Sequence, residues 1–181
     1  MEFLGEPVGD FGMSAGIVTI TKEVVTGDTT LANKLLALNN THAQALSWLD
    51  PERLCHLVAE AFFAGRVGRV DGLLIAFDQN ADYDSPNFLW FQSRFSRFVY
   101  VDRVAVAPEA RGRGLARRLY LELFSKATLR GHDKIVCEIN LTPPNPESDA
   151  FHAALGFLEI GSGSVHGGQK TVRYMAHQLN S

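Results

Sequence analysis

Cysteine is scarce in this chain, with two, Cys55 and Cys137, among 181 residues. They are distant in sequence, lie among apolar residues, and have neither C-x-x-C spacing nor a matching histidine cluster. A disulfide framework and a cysteine-held metal are therefore not expected; two buried thiols in a reducing cytoplasm are. The N-terminal stretch also lacks a continuous apolar run and carries Glu2, Glu6 and Asp10. It reads as neither signal peptide nor membrane anchor, but as a flexible leader over residues 1–15, ahead of one domain over 16–181. An excess of one charge is missing too: 17 Lys and Arg against 20 Asp and Glu leave a net charge of −3, so no global field draws the chain to nucleic acid or membrane. Internal repeats are absent. What is present, 46% hydrophobic residues, suffices for one well-buried core without covalent staples.

Two phosphate-binding signatures are missing as well. There is no G-K-[ST] of a Walker loop, and counting G-x-G-x-x-G from Gly112 puts Arg117 where the last small residue belongs. The chain nevertheless has a strand–loop–helix unit with anion-binding character. Phe98 to Val106 is rich in β-branched and aromatic residues and reads as a strand that Pro108 stops. From Leu115, apolar Leu115, Leu119, Leu123 and Phe124 recur at helical spacing. Between them, Arg111-Gly112-Arg113-Gly114-Leu115-Ala116 falls where a helix's first N–H groups lack intrahelical acceptors. The helix dipole there favours an anion by roughly 0.3–1 kcal/mol, and two arginines add formal charge. A diphosphate suits such a loop; a basic turn that merely caps the helix is the plainer alternative.

Arg111, Gly114 and Ala116 match the pattern [QR]-x-x-G-x-[GA]. Further on, Asn145, Ser148, Gly156 and Phe157 match N-x-x-[AS]-x-x-x-Y-x-x-x-G-F in register, with His152 at the tyrosine position. In these two motifs, and more loosely over residues 15–180, the chain resembles the GNAT superfamily of acyl-CoA-dependent N-acetyltransferases. The resemblance implies an α/β (α+β) fold with a central mixed, mostly antiparallel, splayed sheet flanked by helices. It implies acetyl transfer from acetyl-CoA, without a metal, to a primary amine by direct attack in a ternary complex. The backbone of Val104, Ala105 and Val106 would then lie beside the pantetheine and thioester carbonyl. The residues Arg111, Gly112, Arg113, Gly114, Leu115 and Ala116 would hold the diphosphate, and Asn145 and Ser148 would face the cofactor. Family members are often homodimers. A small-molecule amine is the expected acceptor, since no long peptide-reading surface is evident. A non-catalytic acyl-CoA sensor on the same fold is the alternative.

The chemistry names further candidates. A lysine-like amine of pKa about 10.4 costs about 4–5 kcal/mol to deprotonate at pH 7, and a carboxylate can offset part of that. Asp102 shares a face with Tyr100, Val104 and Val106 if its strand is regular, and is the first choice of base. Glu138, on the strand from Lys134 to Asn140, is the second; its alternative role is a salt bridge to Arg103. His152 is the expected donor to the departing sulfur, or else a residue lining the cleft.

The remaining elements follow from pattern. Ile17 to Val25 reads as a first strand, Leu31 to Leu38 as a helix broken at Asn39-Asn40, Ala43 to Leu49 as a second helical piece, and Glu52 to Ala61 as a third, started by Pro51. The resemblance makes these helices one wall of the acceptor pocket. His42 and His56 are read as ordinary helix residues. Arg66 to Val70 and Gly72 to Phe77 form a strand pair turning near Asp71-Gly72. Asp78 to Arg97 is a packed loop anchored by Phe88, Trp90, Phe91 and Phe95, with Asp82, Tyr83 and Asp84 as candidate acceptor contacts. Glu147 to Leu155 is a short helix. Phe157 to Ile160 and Thr171 to Met175 are the last strands, joined by a glycine-rich spacer containing His166.

Overall fold

The computed structural model describes residues 16–165 and 167–179. The leader expected over residues 1–15 and the loop role read for His166 lie outside them. Strands β1 (Ile17–Thr19), β2 (Phe63–Val67), β3 (Gly72–Asp78), β4 (Val99–Val106), β5 (Lys134–Thr142), β6 (Leu158–Val165) and β7 (Lys170–Gln178) form one sheet in the order β1-β2-β3-β4-β5-β7-β6. Neighbours are antiparallel except β4 and β5, whose parallel pairing covers only Val99–Ile135 and Tyr100–Val136. Beyond Tyr100 the two strands part, which gives the mixed, splayed sheet that the motifs imply.

Helices α1 (Lys22–Gly27), α2 (Thr29–Thr41), α3 (Ala43–Leu46), α4 (Pro51–Glu60), α5 (Pro86–Gln92), α6 (Leu115–Leu129) and α7 (Pro146–Ala154) flank it. Parallel strands need a crossover, and α6 provides it between β4 and β5. Its buried Leu115, Leu119, Leu123 and Ala127 recur at helical spacing and pack on the sheet. Side-chain caps fix where the other helices begin: Asp28 accepts from Leu31 N at 2.9 Å, Asp50 from Arg53 N at 2.7 Å, and Asn145 from Ser148 N at 3.1 Å.

Several local expectations change. The first strand ends at Thr19, because Thr21 caps α1 through Val24 N at 3.4 Å and turns Lys22 to Val25 into helix. The β2 strand spans Phe63–Val67 rather than residues 66–70, and the turn falls earlier, with Gly68 at φ +57°. The segment from Asp78 to Arg97 packs as expected but contains α5, started by Pro86.

The glycine-rich stretch before His166 is strand, not spacer. Added Cβ atoms at Gly161 and Gly163 would meet Trp90 Cζ2 at 3.0 Å and Tyr174 Oη at 2.8 Å, so the glycines let aromatic rings lie on the sheet. Trp90 stacks on Tyr174 there at 4.0 Å.

Phe88 and Phe91 have no exposed surface, and their rings lie 5.7 and 5.8 Å from that of Tyr100. They lock α5 against the middle of β4, next to the point where the sheet opens. Phe88→Ala is expected to lower unfolding free energy by about 3–5 kcal/mol in urea denaturation, the cost of emptying a packed aromatic site; a loss below 1 kcal/mol would show that α5 does not anchor this core.

Candidate active site

The cleft opens where β4 and β5 separate. One half, a cavity of about 300 Å³, is lined by residues 101–106 of β4, Arg111, Ala116 and Tyr120 of the α6 unit, residues 137–140 of β5, and Asn145, Ser148 and His152. A second recess of about 340 Å³ lies between the α3–α4 segment, the start of α5, and β6–β7, with Trp48, Arg53, Tyr83, Asp84, Asn87 and Lys170 on its walls. Both halves share Asp102, Arg103, Glu138 and Asn140.

Most residues expected to bind a cofactor converge on the first half: Val104, Ala105, Val106, Arg111, Ala116, Asn145 and Ser148 all line it. The others support the loop. Gly112 and Gly114 adopt φ +74° and +71°, yet an added Cβ would meet nothing within 4 Å at either, so backbone conformation rather than space calls for glycine. Gly114 is the N-cap of the 15-residue α6 and supplies no capping side chain, which leaves the helix's first N–H groups to an external acceptor. Leu115 is buried, and Arg113 lies 3.9 Å from Asp71 across an exposed pair. His42 Nε2 lies 3.2 Å from the Val106 carbonyl on the same wall.

Between β3 and β4 the register runs from Ala76–Val101 to Ile75–Arg103, leaving Asp102 as an extra residue on β4. Such a bulge re-aims side chains beside a site, and the regular alternation read from sequence does not hold here. Asp102 accepts from Tyr83 Oη at 2.5 Å and from Arg103 Nε at 2.5 Å. Arg103, 5% exposed, also donates Nη1 to Asn39 Oδ1 at 2.8 Å. Burial, then the charge of Asp102, holds the Tyr83 phenol firmly protonated. The ion pair considered for Glu138 thus forms at Asp102. The network extends into the wall of the second recess: Asn39 Nδ2 donates to Ser47 O, and Asn40 bonds both the N–H and the carbonyl of Leu49.

Glu138 stands apart. Its Oε2 is sealed from solvent and has no hydrogen-bond partner among the described residues. Burial pushes its carboxyl from 4.5 up to about 7, against hydrogen bonding from Tyr100, with the Asp102 charge adding to the rise. It therefore titrates near neutrality at the junction of the two halves.

His152 is 4% exposed and engaged at both nitrogens, Nδ1 with Ser148 O at 2.8 Å and Nε2 with Tyr120 Oη at 2.8 Å. Burial lowers its pKa, keeping it neutral at pH 7. Of the acidic loop candidates, Asp84 lies 3.7 Å from Arg53 at the recess, whereas the backbone N–H of Asp82 donates to Glu60. Sequence reasoning missed Tyr120, Trp48, Arg53 and Lys170. The one usable signal was at Tyr120, a phenol on a buried helix face that requires a polar partner.

The family model for the acetyltransferase (GNAT) family matches residues 40–157. No curated protein matches the chain. Solved structures share its fold. The ribosomal-protein-S18-alanine N-acetyltransferase of Escherichia coli is 14% identical, with a TM-score of 0.63 over 92% of this chain and 94% of that one. An aminoglycoside 6'-N-acetyltransferase complexed with coenzyme A is 13% identical, with a TM-score of 0.67 over 91% and 97%. The Salmonella typhimurium protein yncA, solved with its cofactor acetyl-CoA, is 20% identical, with a TM-score of 0.63 over 93% and 96%. Two sequence motifs, a splayed β4–β5 pair and a family match over most of the chain agree: the protein belongs to the acetyltransferase (GNAT) family and is an acyltransferase.

Proposed function

We propose that the protein transfers an acetyl group from acetyl-CoA to the primary amine of a small molecule, with Glu138 as the base. The observation that carries this reading is the Glu138 side chain, half-buried, lining both halves of the cleft and with a pKa raised to about 7. A base is most effective when its pKa lies near working pH. The acceptor recess, about 340 Å³ and ringed by polar side chains, suits a small molecule.

The cofactor enters with its diphosphate on the Arg111–Ala116 loop and its pantetheine along Val104 to Val106. Beyond Tyr100 this stretch of β4 has no β5 partner, which leaves its backbone groups on that side, apart from the Val106 carbonyl beside His42, to an extended ligand and the thioester oxygen. The amine, in the other half, gives its proton to Glu138 as nitrogen attacks the carbonyl carbon. Direct attack is favoured over a covalent enzyme intermediate, because Cys137, the one cysteine lining the cleft, is 3% exposed and burial pushes its thiol pKa well up. Asp102, with both oxygens engaged, holds the bulge and the Tyr83 and Arg103 side chains rather than accepting the substrate proton.

Gly114→Asp keeps a residue that tolerates positive φ but adds negative charge at the diphosphate. Calorimetry should show acetyl-CoA affinity falling by about ten-fold or more, roughly the 1.4 kcal/mol of one decade; unchanged affinity in the folded variant would remove the loop from the site.

The base is tested by pH. The wild-type kcat/KM should rise with pH through an apparent pKa near 7, and Glu138→Gln should lose that limb and about 10²-fold or more of activity while retaining acetyl-CoA affinity. The native state holds the Glu138 proton more tightly than the unfolded chain, so ionisation costs stability as pH rises from 4.5 through about 7. Glu138→Gln should therefore melt higher than wild type at pH 8. Wild-type activity in this variant would refute the assignment.

Asp102→Asn leaves Arg103 buried without its ion-pair partner. Its main readout is expected in urea denaturation, with about 3–5 kcal/mol lost; a fully stable but inactive Asp102→Asn protein would return the base to Asp102.

A further inference from the structure

We propose that the hydroxyl of Ser148 donates the hydrogen bond to the departing CoA sulfur, and that His152 and Tyr120 hold it in that orientation. The inference rests on the acetyl-transfer reading above. It moves the donor one helical turn along α7, from position 152 to position 148.

Proton placement fixes the direction of the chain. The Ser148 backbone carbonyl can only accept, so its 2.8 Å contact with His152 Nδ1 puts the neutral ring's proton on Nδ1. Nε2 then carries the lone pair and accepts from Tyr120 Oη at 2.8 Å. Neither of these two side chains is free to serve the cleft directly. His152 is 4% exposed and Tyr120 has no exposed surface, and both are enclosed by edge-on contacts with Phe151 and Phe157.

Nδ1 itself lies 3.2 Å from Ser148 Oγ, so its N–H reaches one lone pair of the hydroxyl as the longer arm of a bifurcated contact. The Ser148 proton has no acceptor among the described residues. Ser148 is half-buried and lines the cofactor half of the cleft with Val104, Ala105 and Val106. Every donor in the chain Tyr120 → His152 → Ser148 points toward that half. Burial keeps His152 neutral, so the order of donors does not reverse near pH 7.

The chemistry balances without an added reactant. As the amine nitrogen bonds to the carbonyl carbon, the C–S bond breaks and its electron pair moves to sulfur. The amine's proton goes to Glu138. A thiolate with a conjugate-acid pKa of about 8.5 is far less basic than an alkoxide, so Ser148 keeps its proton and stabilises the thiolate by hydrogen bonding. Sulfur is protonated by water after release. Ser148 touches the reacting atom and is the catalytic residue; His152 and Tyr120 are positioning residues.

The test is single-turnover acetyl transfer at saturating acetyl-CoA, with an amine that the wild-type protein acetylates. Ser148→Ala should slow transfer about ten-fold or more, within the lower range of acid–base contributions, while calorimetry finds the acetyl-CoA Kd unchanged. Ser148→Thr, which keeps a hydroxyl, should recover most of the rate. His152→Phe should slow transfer comparably, and the double variant should be no slower than the slower single variant, because both changes remove one donor. Ser148→Ala at the wild-type rate overturns the proposal, as does a Ser148→Thr protein no faster than Ser148→Ala. A fast Ser148→Ala protein beside a slow His152→Phe protein would make His152 the direct donor. If wild type acetylates no amine although it binds acetyl-CoA, the acetyl-transfer reading fails and this inference falls with it.

Discussion

Backbone pairing between β4 and β5 stops after Tyr100–Val136, and the site depends on that parting. A parallel pair requires a crossover helix, and α6 runs back over the sheet with its uncapped N-terminus at the open end. Uncapped α6 N–H groups and β4 backbone without a β5 partner thus share one cleft. Had the two strands stayed paired, the β4 polar groups would bond to β5, and there would be neither a slot for an extended cofactor nor a recess behind it. The bulge at Asp102 lies just past the last paired residue, and α5 packs behind it through Phe88 and Phe91.

Two carboxylates face this opening, and their surroundings divide their roles. Asp102 is neutralised by Arg103 and capped by Tyr83, an arrangement that suits a structural anchor reaching through Asn39 and Asn40 to the wall of the second recess. Among the described residues Glu138 has an oxygen without a partner, and burial raises its pKa. Ionising it therefore costs native-state stability as pH rises toward neutrality. On α7, His152 is engaged at both ring nitrogens, whereas the Ser148 proton has no acceptor among the described residues.

Much of this was legible in the sequence, for physical reasons that differ by element. The strand–loop–helix of residues 98–129 was readable because β-branched residues, Pro108 and a helical leucine period act locally. The convergence expected from two motifs is seen at one cavity, where Val104, Ala105, Val106, Arg111, Ala116, Asn145 and Ser148 meet across the cleft. The wall of the second recess was only partly readable, because Trp48, Arg53 and Lys170 come from elements remote in sequence. The ranking of carboxylates assumed a regular strand at Asp102, and a bulge is a property of register between two strands, invisible in either alone. At Val25, propensity favoured a strand, but the Thr21 cap and packing gave helix. The commitments of His152 depend on Tyr120, 32 residues away in sequence, which no local pattern links to it.

The most direct measurement of the central claim is amine-dependent CoA release from acetyl-CoA across a panel of polyamines, amino acids, aminoglycosides and short peptides, with the acetylated product identified by mass. The two-sided cleft predicts CoA release that saturates with a small primary amine, and a product heavier than that amine by one acetyl group. Tight acetyl-CoA binding with no amine-dependent release across the panel would contradict it and favour an acyl-CoA sensor on this fold.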